Sequence, residues 1–379
     1  MTHRAWENLQ RRDVLIGAGT LGALATLSPL CAACAPSPPS SGLGEIAAQK
    51  GILFGASLAV HELDRDHGAR YRDLYLHDAR ILTSELEFKL SMLRPDENAL
   101  DFHGADRLVE FAAQTSMAVR AHTLIWDDDV PGWIDRLAPA GISGLLDMHV
   151  TSVMQRYAGT IRYWDVVNEP IGPWDRKPGN LRAGPFYRAL GEAYIARAFR
   201  AARAAASVSD VLVLNEAQCE TADETGETFR ASLLALLHRL IDQGAPIDAI
   251  GFQSHLRLAA PYDFPAFGAF LADVASLGLE IHVTELDVND SSVEGDVATR
   301  DRAVAQMYGA YLDAVLKVEA VKVVETWQLC DATSWMNDPA IQARMGVRSQ
   351  RRPLPYDLRF QRKAAWYAIA QALDAAPPR

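Results

Sequence analysis

Ile161-Arg-Tyr-Trp-Asp-Val-Val-Asn-Glu169 is a short apolar run that closes on a carboxylate. Its aliphatic residues show no clean polar alternation, which suits a strand covered on both faces, as in parallel sheets. Seven further runs share this character: Gly51–Leu58, Ala79–Thr83, Met117–Trp126, Asp210–Glu216, Ala249–His255, Glu280–Val288 and Ala320–Leu329. Amphipathic segments rich in Ala, Leu and Arg lie between them, among them Gly104–Thr115, Phe186–Ala206, Thr228–Gln243 and Thr299–Val318. Strand and helix alternating eight times predict a single (β/α)8 TIM barrel of class α/β, spanning residues 49–375.

In such a barrel the active site lies at the C-terminal ends of the strands. The polar residues of this chain gather there: His122 and Trp126, Asn168 and Glu169, Asn215, Gln253 and His255, Glu285 and Asp287, then Trp327. Residues two apart on a strand share a face, so Gln253 with His255, Glu285 with Asp287, and His122 with Trp126 are expected as pairs. Neighbouring strands then bring His255 beside Glu285 and Asp287. A histidine between two carboxylates holds one of them ionised. Two glutamates on facing strands form the pair that protonates a leaving oxygen and attacks the carbon left behind.

Composition narrows the partner. The formal net charge is −11, without any Lys/Arg run, which argues against nucleic acid or an anionic membrane surface. A neutral polymer is the more natural substrate. Outside the N-terminal segment no Cys-x-x-Cys pair or His-x-His spacing suggests a metal, so neither metal nor cofactor is expected. Nothing implies a protein partner, and a monomer is the simplest expectation.

Residues 1–35 read as an export segment. Arg11-Arg12 precede a Gly/Ala-rich, moderately apolar stretch that Pro29 interrupts, the pattern of a Tat-type signal. The product is expected to be periplasmic or secreted, with Cys34 a candidate for lipid attachment. Residues 36–48, which open on Pro36-Ser-Pro-Pro-Ser-Ser-Gly42, are expected as a linker. Cys219 and Cys330 are expected as free thiols.

Four of these motifs, in order and spacing, resemble glycoside hydrolase family 10, typified by retaining endo-β-1,4-xylanases. His122-Thr-Leu-Ile-Trp126 matches H-T-L-V-W, and Trp164-Asp-Val-Val-Asn-Glu169 matches W-D-V-V-N-E. Gly251-Phe-Gln-Ser-His-Leu256 matches G-F-Q-S-H-L, and Thr284-Glu-Leu-Asp287 matches T-E-L-D. The resemblance implies an acid/base role for Glu169 and a nucleophilic role for Glu285, supported by Asn168, His255 and Asp287. It implies that His122, Trp126, Asn168, Gln253 and His255 surround the sugar at the cleaved bond. Asn215 is expected among the substrate-binding residues, as a support standing behind them. Glu85 and Lys89 would contact the next sugar on the non-reducing side, with Trp327 and Trp335 as an aromatic wall. The implied substrate is xylan or its oligosaccharides.

The chain also departs from the family pattern. Leu86 stands where the family carries Asn, and Asp127-Asp-Asp129 replaces H-S-Q. The changed Asn and Gln positions, Leu86 and Asp129, belong to the second glycone sugar, so altered recognition is expected there. Asp127 to Asp129 read equally well as a solvated acidic loop. Hydrolysis or transglycosylation of another β-1,4-glycan or β-glycoside, or carbohydrate binding at the cell surface without turnover, are the competing readings. His61 and His67 read as solvated, and His149 as structural.

Overall fold

The computed structural model describes residues 41–344 and 349–379. Eight parallel strands form the barrel: β1 (Leu53–Leu58), β2 (Ile81–Ser84), β3 (Ala118–Ala121), β4 (Tyr163–Asn168), β5 (Val211–Glu216), β6 (Ala249–Phe252), β7 (Glu280–Asn289) and β8 (Val321–Thr326). Each pairs with the next, and β8 returns to β1, so the sheet has no free edge. The long helices on its outside include α1 (His103–Thr115), α2 (Pro139–Arg156), α3 (Ala193–Ala205), α4 (Glu224–Asp242), α5 (Phe264–Ala275), α6 (Val297–Val315) and α7 (Ala364–Ala375). Asp223, Asp263 and Asp296 cap α4, α5 and α6 by accepting from backbone N–H groups of the first turn.

Two apolar clusters follow from this layering. The larger fills the space between sheet and helices. The smaller joins Ile81, Tyr163, Val211, Val213, Ala249 and Val323 inside the barrel. Stepping up each strand by two residues from this floor reaches Thr83, Asp165, Asn215, Gly251 and Glu325, then Gln253 and Trp327. Strand parity thus turns an apolar floor into a polar mouth.

The expected elements needed four adjustments. The linker ends earlier than expected, because Leu43–Ala48 is a helix whose Leu43 and Ala47 are fully buried in the main core. Its Leu43 N–H donates to Asp78 Oδ1 at 2.8 Å, which ties it to the barrel. The single helix expected over Phe186–Ala206 is two, Pro185–Leu190 and α3, parted by Gly191 at φ 60. β3 stops at Ala121, and Ile125–Trp126 forms a separate short pairing with β4. β6 stops at Phe252, Ser254 is left-handed at φ 61, and His255–Arg257 pairs anew with β7. His255 therefore owes its place to the register His255↔Asp287 and not to a shared strand face with Gln253. The export segment and Cys34 fall outside the described residues. Cys219 and Cys330 are buried free thiols.

Candidate active site

A cleft of about 460 Å³ opens at the C-terminal mouth of the barrel. Glu169 and Glu285 both line it, with Asn168, His122, Trp126, Gln253, Glu85, Leu86, Lys89, Trp327 and Trp335. The architecture thus gathers side chains from six barrel strands. Asn215, His255 and Asp287 stand behind this surface.

Glu285, near the middle of β7, is 2% exposed. Its Oε1 accepts from Asn215 Nδ2 at 2.8 Å, and its Oε2 lies 3.1 Å from His255 Nε2. The other ring nitrogen of His255 lies 2.9 Å from Asp287 Oδ1. Burial opposes a charged imidazole, but Asp287 and then Glu285 outweigh it and raise His255 well above the ordinary histidine range. Burial likewise pushes Glu285 up, yet the His255 hydrogen bond and the fields of His122 and His255 prevail and hold its carboxyl below the usual range. An imidazolium between two carboxylates keeps Glu285 ionised although it is buried. Trp335 Nε1 donates to Asp287 Oδ2 at 2.8 Å, so the aromatic wall is fastened to the same network.

Glu169 follows the last residue of β4 and turns left-handed, at φ 49. Its Oε1 accepts from Gln253 Nε2 at 2.9 Å. Its Oε2 pairs with Arg182 Nη2 at 2.8 Å. Arg182 Nε also donates to the Glu169 backbone carbonyl at 2.8 Å, while its Nη1 pairs with Asp128. One guanidinium therefore fixes both the backbone and the carboxylate of Glu169. Sequence reading missed Arg182, since it comes from an irregular segment that carries no periodic signal.

Asn215 is fully buried and bridges the two halves of the site. Its Nδ2 donates to Asn168 Oδ1 at 2.9 Å as well as to Glu285, and its Oδ1 accepts from Thr284 at 2.8 Å. The sequence reading counted it with the substrate-binding residues; its full burial leaves it the supporting part alone, toward Glu285 and Asn168. Gly251 leaves the space Asn215 needs, because a Cβ there would lie 2.2 Å from Asn215 Oδ1.

Below the mouth, Arg120 Nη2 lies 3.0 Å from Asp165 Oδ1 and Nη1 lies 3.0 Å from His282 Nδ1. Burial opposes ionisation of Asp165, but Arg120 and His122 hold its carboxyl low. His122 Nδ1 lies 2.9 Å from Asp165 Oδ2. The ionised acceptor fixes the N–H on that nitrogen and leaves Nε2 toward the cleft. Glu325 in the same layer is pushed up to about 7 by burial. Glu216 is also buried, pushed up to about 8, and accepts from the Ile171 and Ala217 N–H groups; it supports the turn after β4.

The acidic triplet departs from its expected roles. Asp127 is buried, accepts from Phe186 N–H at 3.1 Å, and is pushed up to about 7 by burial. Asp128 pairs with Arg182, and Asp129 accepts from Ser91 Oγ at 2.8 Å. None of the three lines the cleft, whereas Leu86 does. They are not a solvated loop either, because each has a protein partner. His61 and His67 line the cleft, both against Glu62; His61 is exposed, as expected, and His67 is partly buried. His149 is buried, pushed down to about 3, and accepts from Arg94. Among the described residues, no group of three His, Cys, Asp or Glu is arranged to hold a metal.

Comparison with known proteins agrees with this geometry. The endo-1,4-beta-xylanase 3 of Hypocrea jecorina is 32% identical over 337 residues, covering 88% of this chain and 86% of that protein. The endo-1,4-beta-xylanase B of Thermotoga neapolitana is 27% identical over 307 residues, covering 80% of this chain and 84% of that one. The crystal structure of xylanase 10B from Thermotoga petrophila RKU-1 in complex with xylobiose superposes with a TM-score of 0.79 at 26% identity, covering 89% of this chain and 98% of that one. The model of glycosyl hydrolase family 10 matches residues 42–372, and the chain belongs to that family.

Proposed function

We propose that this protein is an endo-acting β-1,4-xylanase that hydrolyses xylan with retention of configuration. Glu285 attacks the anomeric carbon and forms a covalent glycosyl-enzyme. Glu169 first protonates the leaving oxygen and then activates water. The observation that carries this reading is the asymmetry of the pair. Glu285 is held ionised by His255 and anchored by Asn215, whereas Glu169 stands at the end of β4 with its own partners. The xylanases to which the chain is similar support the substrate class.

Asn168 Nδ2 is the group we assign to the sugar 2-hydroxyl, because Asn168 Oδ1 is already engaged by Asn215. Trp327 and Trp335 offer flat faces to the sugar C–H surfaces. Leu86 alters the second glycone sugar site, so we expect a profile on xylotriose, xylohexaose and decorated xylan unlike that of an ordinary xylanase. Residues 1–35 are read as an export signal, testable by cell fractionation.

The test uses two variants and two leaving groups. Glu285→Ala should abolish turnover of every glycoside. Glu169→Ala should lose about 100- to 10,000-fold on xylan, the worth of general acid catalysis. It should still release an activated dinitrophenolate in the first step, which needs no proton. Equal losses of Glu169→Ala on both substrates would remove Glu169 from the acid role.

A further inference from the structure

Leu86 presents an aliphatic side chain where the second glycone sugar is expected, yet an amide reaches that wall from another strand. Gln328 follows β8 and Glu85 follows β2, and these two strands flank β1. Both side chains line the cleft. Gln328 Nε2 donates to Glu85 Oε2.

Three features of Gln328 have no explanation in the fold. Its backbone is left-handed at φ 71, a region that favours glycine and is costly for a side-chain-bearing residue. Such outliers persist where the surrounding structure over-determines them, and they cluster at ligand sites. The side chain is 2% exposed. Its Oε1 nevertheless has no hydrogen-bond partner among the described residues. A buried unpaired carbonyl is a cost to the free protein, relieved when a donor arrives. Glu85 supplies a complementary feature. Burial pushes its carboxyl up to about 7 against the Gln328 hydrogen bond and Lys89. In mildly acidic solution the pair is therefore largely uncharged, which suits a neutral sugar hydroxyl over a charged substituent.

We propose that Gln328 is the specificity-determining residue of the second glycone sugar, its amide held by Glu85 and taking over the hydroxyl contact that Leu86 cannot make. The terminal torsion of a glutamine is soft. A small rotation turns Oε1 onto a hydroxyl of the incoming sugar while Nε2 keeps Glu85. The amide missing from the end of β2 is thus supplied from the end of β8, one strand beyond β1. This rests on the xylan-cleaving reading above.

The experiment compares aryl β-xyloside with aryl β-xylobioside, which share a leaving group and differ by one glycone sugar. Gln328→Gly removes the amide and suits φ 71, so the variant should fold; Gln328→Ala and thermal unfolding of both variants check this. The expected result is a loss in kcat/KM of about 2- to 10-fold on the xylobioside, the worth of one neutral hydrogen bond. The loss should fall on KM, and the xyloside should be unaffected. Equal losses on both substrates, no loss on either, or a gain on the xylobioside would each overturn the proposal. A wild-type enzyme that cleaves neither substrate would instead sink the xylan reading, and this proposal with it.

Discussion

Replacing His255 by asparagine removes the one cation between two buried carboxylates. Glu285 Oε2 lies 3.1 Å and Asp287 Oδ1 2.9 Å from its ring nitrogens, and the two acid side chains are 3% and 0% exposed. Breaking a buried ion pair from one side strands the opposite charge and costs about 3–5 kcal/mol. That loss should appear in urea unfolding near pH 6.5. The sign of its pH dependence follows from linkage. The folded-state pKa of His255 is raised, so its contribution is fully present below the unfolded value of about 6.5 and is lost as pH rises through the folded value. The deficit of the variant should therefore narrow toward pH 9, by up to about 1.4 kcal/mol per pH unit. Activity supplies a second readout. Without the His255 hydrogen bond, burial of Glu285 is opposed mainly by His122, so the acidic limb of kcat/KM should move to higher pH. An unmoved acidic limb, with a deficit equal at both pH values, would refute the claim that His255 holds Glu285 ionised.

Three further outcomes are expected. Arg182→Met frees the backbone carbonyl and the carboxylate of Glu169 from the guanidinium that fixes both, so xylan turnover should fall by up to about 100-fold while release of an activated dinitrophenolate is nearly kept; equal losses on both substrates would make Arg182 a packing residue only. Gly251→Ala would place a Cβ 2.2 Å from Asn215 Oδ1 and displace the amide that anchors Glu285, lowering kcat by about 100-fold; a near-normal kcat would show that Asn215 does not position the nucleophile. Leu43→Ala opens a cavity under the N-terminal helix and should cost about 2–5 kcal/mol in chemical denaturation; an unchanged midpoint would return residues 43–48 to a linker.

The barrel was legible because its signal is repeated. Eight runs with buried faces, each followed by an amphipathic segment, admit few topologies, and an error of a few residues in any one does not change the order. The errors fell where local patterns end. β3 and β6 stop early, since a strand that bends away from its neighbour keeps the composition of a strand while losing its partner. The helix Leu43–Ala48 was hidden because it is too short for a periodic signal, and its stability comes from packing. Asp127 to Asp129 read equally well as a solvated loop because three charges in a row usually are; their pairing depends on Phe186, Arg182 and Ser91, which lie far away in the chain.

From the residues alone followed the class of fold, the two glutamates and the pairing of Glu285 with Asp287 on one face of β7, because these rest on short-range order and on strand parity; His255 reached its expected neighbours by a new pairing with β7 that parity did not foresee. Only the tertiary structure assigned Arg182 to Glu169, confined Asn215 to a buried supporting place, withdrew Asp129 from the cleft and brought Gln328 to Glu85. The physical reason is that a strand register determines which backbone positions become neighbours, whereas hydrogen bonds and burial act across whatever loops and turns bring close. The ends of those loops carry no period that a sequence can reveal.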